Sequence, residues 1–207
     1  MVRTKASLHE SLDHLAASEQ AFAKVMDEKG RPDPRLSNPG ADTLLRTIVG
    51  QQVSVAAARS MWTKLTGKYG LPVDLAALSK ASDEELREAG LSRQKAGYAR
   101  SLAALVLSGE LDLHELPEDD EEAIAQLTKI KGIGRWSAEI YLLFAEGRPD
   151  AFPAGDLAVQ VELGRLLGHD GKPSEKQVRE WAEGWRPHRG AAAILAWHSY
   201  NSTGTAL

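Results

Sequence analysis

Two stretches of this chain carry residue types that could do chemistry. The first is Leu127-Thr128-Lys129-Ile130-Lys131-Gly132-Ile133-Gly134-Arg135-Trp136-Ser137-Ala138. It reads as helix, tight turn, helix. Gly132 and Gly134 permit backbone angles that other residues resist. Without side chains there, backbone N–H groups can approach a ligand closely. The helix beginning just beyond adds free N–H groups and the positive end of its dipole. Lys129, Lys131 and Arg135 flank the turn, and Leu127, Ile130 and Ile133 frame it. The partner that suits this arrangement is a phosphate of a nucleic-acid backbone, a contact that positions a protein on a duplex and reads no sequence. The same glycines would also serve an ordinary helix–helix corner.

The second stretch is Phe152-Pro153-Ala154-Gly155-Asp156. An aspartate after Gly and before an apolar run is a good helix N-cap, because its side chain accepts from the free N–H groups of the first turn. By residue type alone Asp156 is such a cap, and a second role for the carboxylate stays open.

Helices must position both stretches. Apolar spacing of helical period and cap signals recur along the chain, and no run alternates as a strand would. An opening helix is predicted from Leu8 to Asp27, with Leu12, Leu15, Phe22 and Val25 on one side. Three prolines make 31–40 a loop. Asp42 is predicted to cap a helix carrying Leu44, Leu45, Ile48 and Val49; Gly50-Gln51-Gln52-Val53-Ser54 interrupts it, and Ser54 caps the next. Ser82 to Glu85 and Ser174 to Gln177 are capping boxes, and Ser92 caps a further helix. Pro117 is predicted at a first helical position with acids in the first turn behind it. Helices follow over about 135–145 and 156–167, and Pro187 can start the last, to about Tyr200.

With 207 residues, 43% of them apolar, the chain can bury a proper core as one large domain or two small lobes. The absence of cysteine excludes disulfides, thiolate catalysis and cysteine-ligated clusters. The basic start Met1-Val2-Arg3-Thr4-Lys5 is not followed by a signal-peptide apolar run. No stretch has the length of apolar sequence needed to span a bilayer. A cytoplasmic protein with no membrane partner is expected, associated with the nucleoid if the source is bacterial. A net charge of −4 argues against a protein that coats nucleic acid non-specifically, and leaves room for one local basic surface. The six histidines are scattered and form no transition-metal constellation.

The first stretch resembles the helix-hairpin-helix motif. The second resembles the Gly/Pro-rich loop and aspartate of the glycosylase superfamily named for the two features. Trp136 and Asp156 are separated by 20 residues, within what that superfamily uses. Three further blocks resemble its 3-methyladenine DNA glycosylase II branch: Ile48-Val49-Gly50-Gln51-Gln52-Val53-Ser54, Leu91-Ser92-Arg93-Gln94-Lys95-Ala96, and Trp185-Arg186-Pro187-His188-Arg189 with Trp197 beyond. The resemblance runs over about 40–200.

The resemblance implies an all-α fold of two helical lobes around a cleft, without the N-terminal β-domain of some members. It implies a central lobe over about 42–125, and a second lobe formed by the hairpin and C-terminal part (126–207) with the N-terminal helix 8–27. It implies an enzyme of base excision repair that flips out an alkylated purine of the 3-methyladenine or 7-methylguanine type and hydrolyses its N-glycosidic bond, leaving an abasic site. Asp156 matches the catalytic aspartate. Trp136 stands where strand-nicking branches carry a lysine nucleophile, so no lyase activity is expected. Trp136 and Trp197 match pocket aromatics that would stack on a cationic or electron-poor base, although at helical spacing each also reads as core. Ile140 and Leu157 align with the pocket wall, and Gln52 with the wedge that fills the gap left by the flipped nucleotide. Lys129, Lys131, Gly132, Ile133, Gly134 and Arg135 match the phosphate-binding hairpin, and Arg93 and Lys95 could add phosphate contacts. No cofactor is required. The backbone carbonyls of Thr128, Ile130 and Ile133 match those that hold a structural Na⁺ or K⁺. The expected partner is double-stranded DNA containing damaged bases, bound by a monomer. Two alternatives stay open: a glycosylase of the same scaffold for deaminated, etheno or oxidised bases, and a helix-hairpin-helix module that binds DNA without chemistry.

Overall fold

The computed structural model describes residues 4–202, and every regular element in that range is helical. The chain divides into two compact units: the described residues up to Leu36 together with those from Leu142 on, and Ser37–Tyr141.

The Ser37–Tyr141 unit contains α3 (Ala41–Gly50), α4 (Val55–Tyr69), α5 (Leu75–Lys80), α6 (Asp83–Glu88), α7 (Arg93–Leu107), α8 (Asp120–Leu127) and α9 (Arg135–Tyr141). Leu44, Leu45, Ile48, Leu65, Leu78, Leu86, Leu102 and Leu127 are fully buried in it. Its boundaries follow the caps. Ser54, Ser82 and Ser92 each accept a first-turn backbone N–H, and Ser82 closes a reciprocal box with Glu85. Two predicted caps differ. Gly40 occupies the N-cap of α3, and the Asp42 carboxylate accepts instead from the Val73 N–H at 3.0 Å. Asp119 caps α8, taking the N–H groups of Glu121 and Glu122, so Pro117 lies before the helix and not in its first turn.

The other unit contains α1 (Lys5–Ser18), α2 (Gln20–Lys29), α10 (Leu157–Leu166), α11 (Glu175–Ala182) and α12 (Arg189–Ser202), with a π-helical turn at Leu142–Glu146. The opening helix predicted as continuous is two helices. Glu19 is extended (φ −136°, ψ 107°), and its carboxylate accepts from the Ala21 N–H to start α2. The break lets Leu8, Leu12 and Leu15 of α1 and Phe22 and Val25 of α2 all bury. Trp185 takes Phe22 and Phe152 edge-on at 5.0 and 6.3 Å. Glu162 of α10, 2% exposed, is held by Arg165 and Ser199, and the Lys29 ammonium donates to Ser199 Oγ at 2.9 Å. The basic start at residues 1–3 lies outside the described residues.

The hairpin belongs with the central helices, whereas the sequence predicts it with the C-terminal part. Its contacts explain the difference: the Lys131 N–H donates to Ser101 Oγ of α7 at 3.2 Å, and Gln51 Nε2 to the Gly132 carbonyl at 2.8 Å.

Candidate functional site

The hairpin joins α8 to α9. Gly132 adopts φ +85°, a left-handed conformation that L side chains rarely enter. Its bare Cα is also needed for packing, since a Cβ there would lie 2.1 Å from Cδ2 of the Tyr98 ring. Gly134 is different. A Cβ there would meet nothing within 4 Å, and the residue is exposed. Its missing side chain leaves open the approach to the first turn of α9. Ile130 and Ile133 are buried at 0% and 3%, and pin the turn from inside.

The cations flanking the turn are not alike. Lys131 is exposed, and among the described residues no ion pair holds it. Lys129 is exposed and donates to Gln126 Oε1 at 2.5 Å. Arg135 makes a two-pronged ion pair with Glu121 and a second with Glu139 at 3.0 Å. The Glu121 hydrogen bond, with the charge of both carboxylates, raises its guanidinium pKa above the ordinary value. Arg135 is therefore a brace between α8 and α9 whose charge is already met, and not the open cation that its sequence position suggests. Lys95 also departs from expectation. Its ammonium donates to the Val49 carbonyl at 2.8 Å, closing the C-terminal end of α3, and burial lowers its pKa. Arg93 remains open, 94% exposed with Asp83 at 3.8 Å.

The turn between α3 and α4 holds Gln52, exposed and at φ +52°, the one non-glycine residue of positive φ among those described. A cavity of about 330 Å³ opens beside it, lined in part by Gln51, Gln52, Lys95, Tyr98 and Gly132. Trp136 and Ile140 stand one helical turn apart on α9, the first 45% exposed and the second half-buried.

In the other unit Asp156 is the N-cap of α10. Its Oδ1 accepts from the Val159 N–H at 3.1 Å and from the Trp197 indole N–H at 3.0 Å. The loop before it is held by its own backbone: the Asp156 N–H donates to the Pro153 carbonyl at 2.9 Å, and the buried Gln160 amide to Ala154 at 2.7 Å. Trp197 packs its ring against Phe144 with centroids 5.5 Å apart. Leu157 follows the cap and is 51% exposed. Two residues predicted separately, Asp156 and Trp197, are thus in direct contact. Gln51, Tyr98 and Ser101 had no assigned role in the sequence. Gln51 lay inside a recognised block, but its partner is 81 residues away and nothing local marks it.

The chain is similar to known proteins over most of its length. DNA-3-methyladenine glycosylase 1 of Schizosaccharomyces pombe is 28% identical over 201 residues, with 92% of this chain and 87% of that protein covered. A DNA-3-methyladenine glycosidase from Bacillus halodurans superposes with a TM-score of 0.84 at 30% identity, covering 95% of this chain and 91% of that one. The S. pombe 3-methyladenine DNA glycosylase in complex with abasic DNA superposes with a TM-score of 0.78 at 25% identity, covering 95% and 98%. The profile of the HhH-GPD superfamily of base excision DNA repair proteins matches residues 45–187, which take in the Gln52 turn, the hairpin and Asp156, and the chain belongs to that superfamily.

Proposed function

We propose that this protein is a monofunctional DNA glycosylase that releases alkylated purines, with Asp156 as its catalytic carboxylate. The observation that carries the reading is the pair of donors on Asp156 Oδ1, from a helix N-terminus and from an indole. They fix the orientation of the carboxylate as a cap alone would not require. Cleavage of an N-glycosidic bond builds positive charge on the deoxyribose. A carboxylate fixed facing that sugar stabilises the charge and orients the attacking water. The residue at the hairpin position where a lysine would form a Schiff base is Trp136, which has no nucleophilic amine, so water is the nucleophile and an abasic site is the product.

Alkylated purines are cationic or electron-poor, and such activated leaving groups suit a site that offers aromatic faces. Trp197 and Leu157, in the unit of Asp156, offer apolar surface to the flipped base, and Trp136 and Ile140 on α9 are the other residues that the family resemblance assigns to it. Lys129, Lys131 and the hairpin N–H groups hold phosphate. A monovalent cation would sit on the carbonyls of Thr128, Ile130 and Ile133. The Ile130 carbonyl accepts the Ile133 N–H at 3.0 Å, which leaves its second lone pair for an ion. Such an ion would supply positive charge toward a phosphate and take no part in bond cleavage. The protein acts as a cytosolic monomer on damaged duplex DNA.

Asp156→Asn tests the mechanism. Asparagine keeps a carbonyl oxygen to cap α10, so the variant should fold and bind an abasic duplex within a few fold of the parent. Release of 3-methyladenine from methylated duplex should fall by roughly 10²-fold or more, the scale on which such groups contribute. Near-parental release would overturn the assignment. A covalent protein–DNA adduct trapped by borohydride would overturn the monofunctional mechanism.

A further inference from the structure

Gln51 lies between two features that the reading above uses separately, the exposed Gln52 and the hairpin. Its side-chain amide crosses 81 residues of sequence to donate to the Gly132 carbonyl at 2.8 Å. Gln51 itself is extended at the end of α3 (φ −61°, ψ 131°), and the left-handed Gln52 follows it directly. A strained conformation of this kind persists only where the surroundings over-determine it. The surroundings here are explicit. The Val49 carbonyl is held by Lys95, the Gln51 amide by Gly132, and Ser54 takes the Ala57 N–H at 3.2 Å to begin α4.

One helix serves both features. Lys95, Tyr98 and Ser101 are successive i, i+3 positions of α7. Lys95 holds the end of α3, the Tyr98 ring lies on Gly132, and Ser101 Oγ takes the Lys131 N–H at 3.2 Å. The hairpin and the Gln52 turn are therefore braced on one strut, and the Gln51–Gly132 bond is the direct tie between them.

We infer that Gln51 is a positioning residue that couples the phosphate-binding hairpin to the wedge turn, so that a phosphate seated on the hairpin holds Gln52 in its strained, inserted conformation. This rests on the reading of Gln52 as a wedge. The hydrogen bond is partly buried and neutral, so its loss would relax the turn without adding charge.

The test is a double-mutant cycle between Gln51→Met, which keeps length and removes the amide, and Gln52→Ala. Each variant is first checked for an unchanged cooperative melt. Gln51→Met should lower kcat/KM for 3-methyladenine release from duplex DNA by roughly two- to tenfold, the range of one net hydrogen bond. In the Gln52→Ala background the same change should have no further effect, because the wedge it acts through is gone. Equal losses in both backgrounds, as a merely structural role would give, or no loss in either, would overturn the coupling.

A second readout does not depend on turnover. 2-Aminopurine placed opposite an abasic-site analogue in a duplex reports insertion next to the gap. The parent should raise its fluorescence, and Gln51→Met should respond less at saturating protein. If the parent shows this response and Gln51→Met less of it, but no alkylpurine is released, the substrate reading fails and the coupling stands. Alkylpurine release with an undiminished Gln51→Met response sinks the coupling alone.

Discussion

Asp156 shows how little a residue type says without its partners. An aspartate after a Gly/Pro loop is an unremarkable cap, and the Val159 N–H confirms that it is one. The second donor, the Trp197 indole, is what a cap does not need. Trp197→Phe separates the two functions. It deletes the N–H, keeps an aromatic ring against Phe144, and leaves the cap bond in place. A hydrogen bond to a charged group is worth about 1.5–3 kcal/mol when it is fully used. Single-turnover release of 3-methyladenine should therefore slow by about ten- to a hundredfold, measured at a temperature where the variant remains folded. A Trp197→Phe enzyme with the parental rate would show that the indole only packs.

At the scale of elements, the hairpin depends on its glycines for two different reasons, and the difference can be measured. Gly132→Ala must put a Cβ into the Tyr98 ring at φ +85°. Strain at such a φ and overpacking each cost about 1–3 kcal/mol. The expected loss is about 2–6 kcal/mol, or roughly 4–24 °C in a thermal melt of a protein this size. Gly134→Ala meets no atom within 4 Å, and should leave stability within about 0.5 kcal/mol while weakening duplex binding, because the methyl stands in the phosphate approach. Equal melts for the two variants would refute the distinction. Elements of this kind were the most legible part of the sequence. Ser54, Ser82, Ser92, Asp156 and Ser174 cap the helices predicted for them, because a cap is decided within four residues. The break at Glu19 escaped notice since the apolar spacing of 8–27 continues through it, and α5 carried too short a pattern to stand out. Arg135 and Lys95 have partners in the fold that the sequence does not show, for one shared reason. A surface cation looks the same in sequence whether it faces solvent or a partner elsewhere in the chain, and Glu121 and the Val49 carbonyl are brought to them only by tertiary folding.

The molecule as a whole joins a marginally acidic charge to histidines that the fold places unevenly. His188, ahead of α12, stacks on His14 of α1 at 4.7 Å with the rings 7° from parallel, and its Nδ1 meets Ser11 Oγ at 3.1 Å. Burial and the neighbouring His14 lower its pKa from an ordinary 6.5, against an opposing pull from Asp150 and Glu10. The native state then binds fewer protons at this site than the unfolded chain does, so stability rises with pH across its titration. The contribution is complete above about pH 6.5 and is lost as pH falls toward the depressed native value. The carboxylates held low by arginine partners, among them Asp83 and Glu183, lose theirs only at more acidic pH, near or below an ordinary carboxylate value. For Glu162, burial pushes the pKa up as the largest single influence, but Arg165, Ser199 and Lys29 together bring it lower, so it joins that acidic group. Between pH 7.5 and 5.5 the melting midpoint should therefore fall, and His188→Gln should flatten that slope. A midpoint that is level or rises on acidification would contradict the assignment.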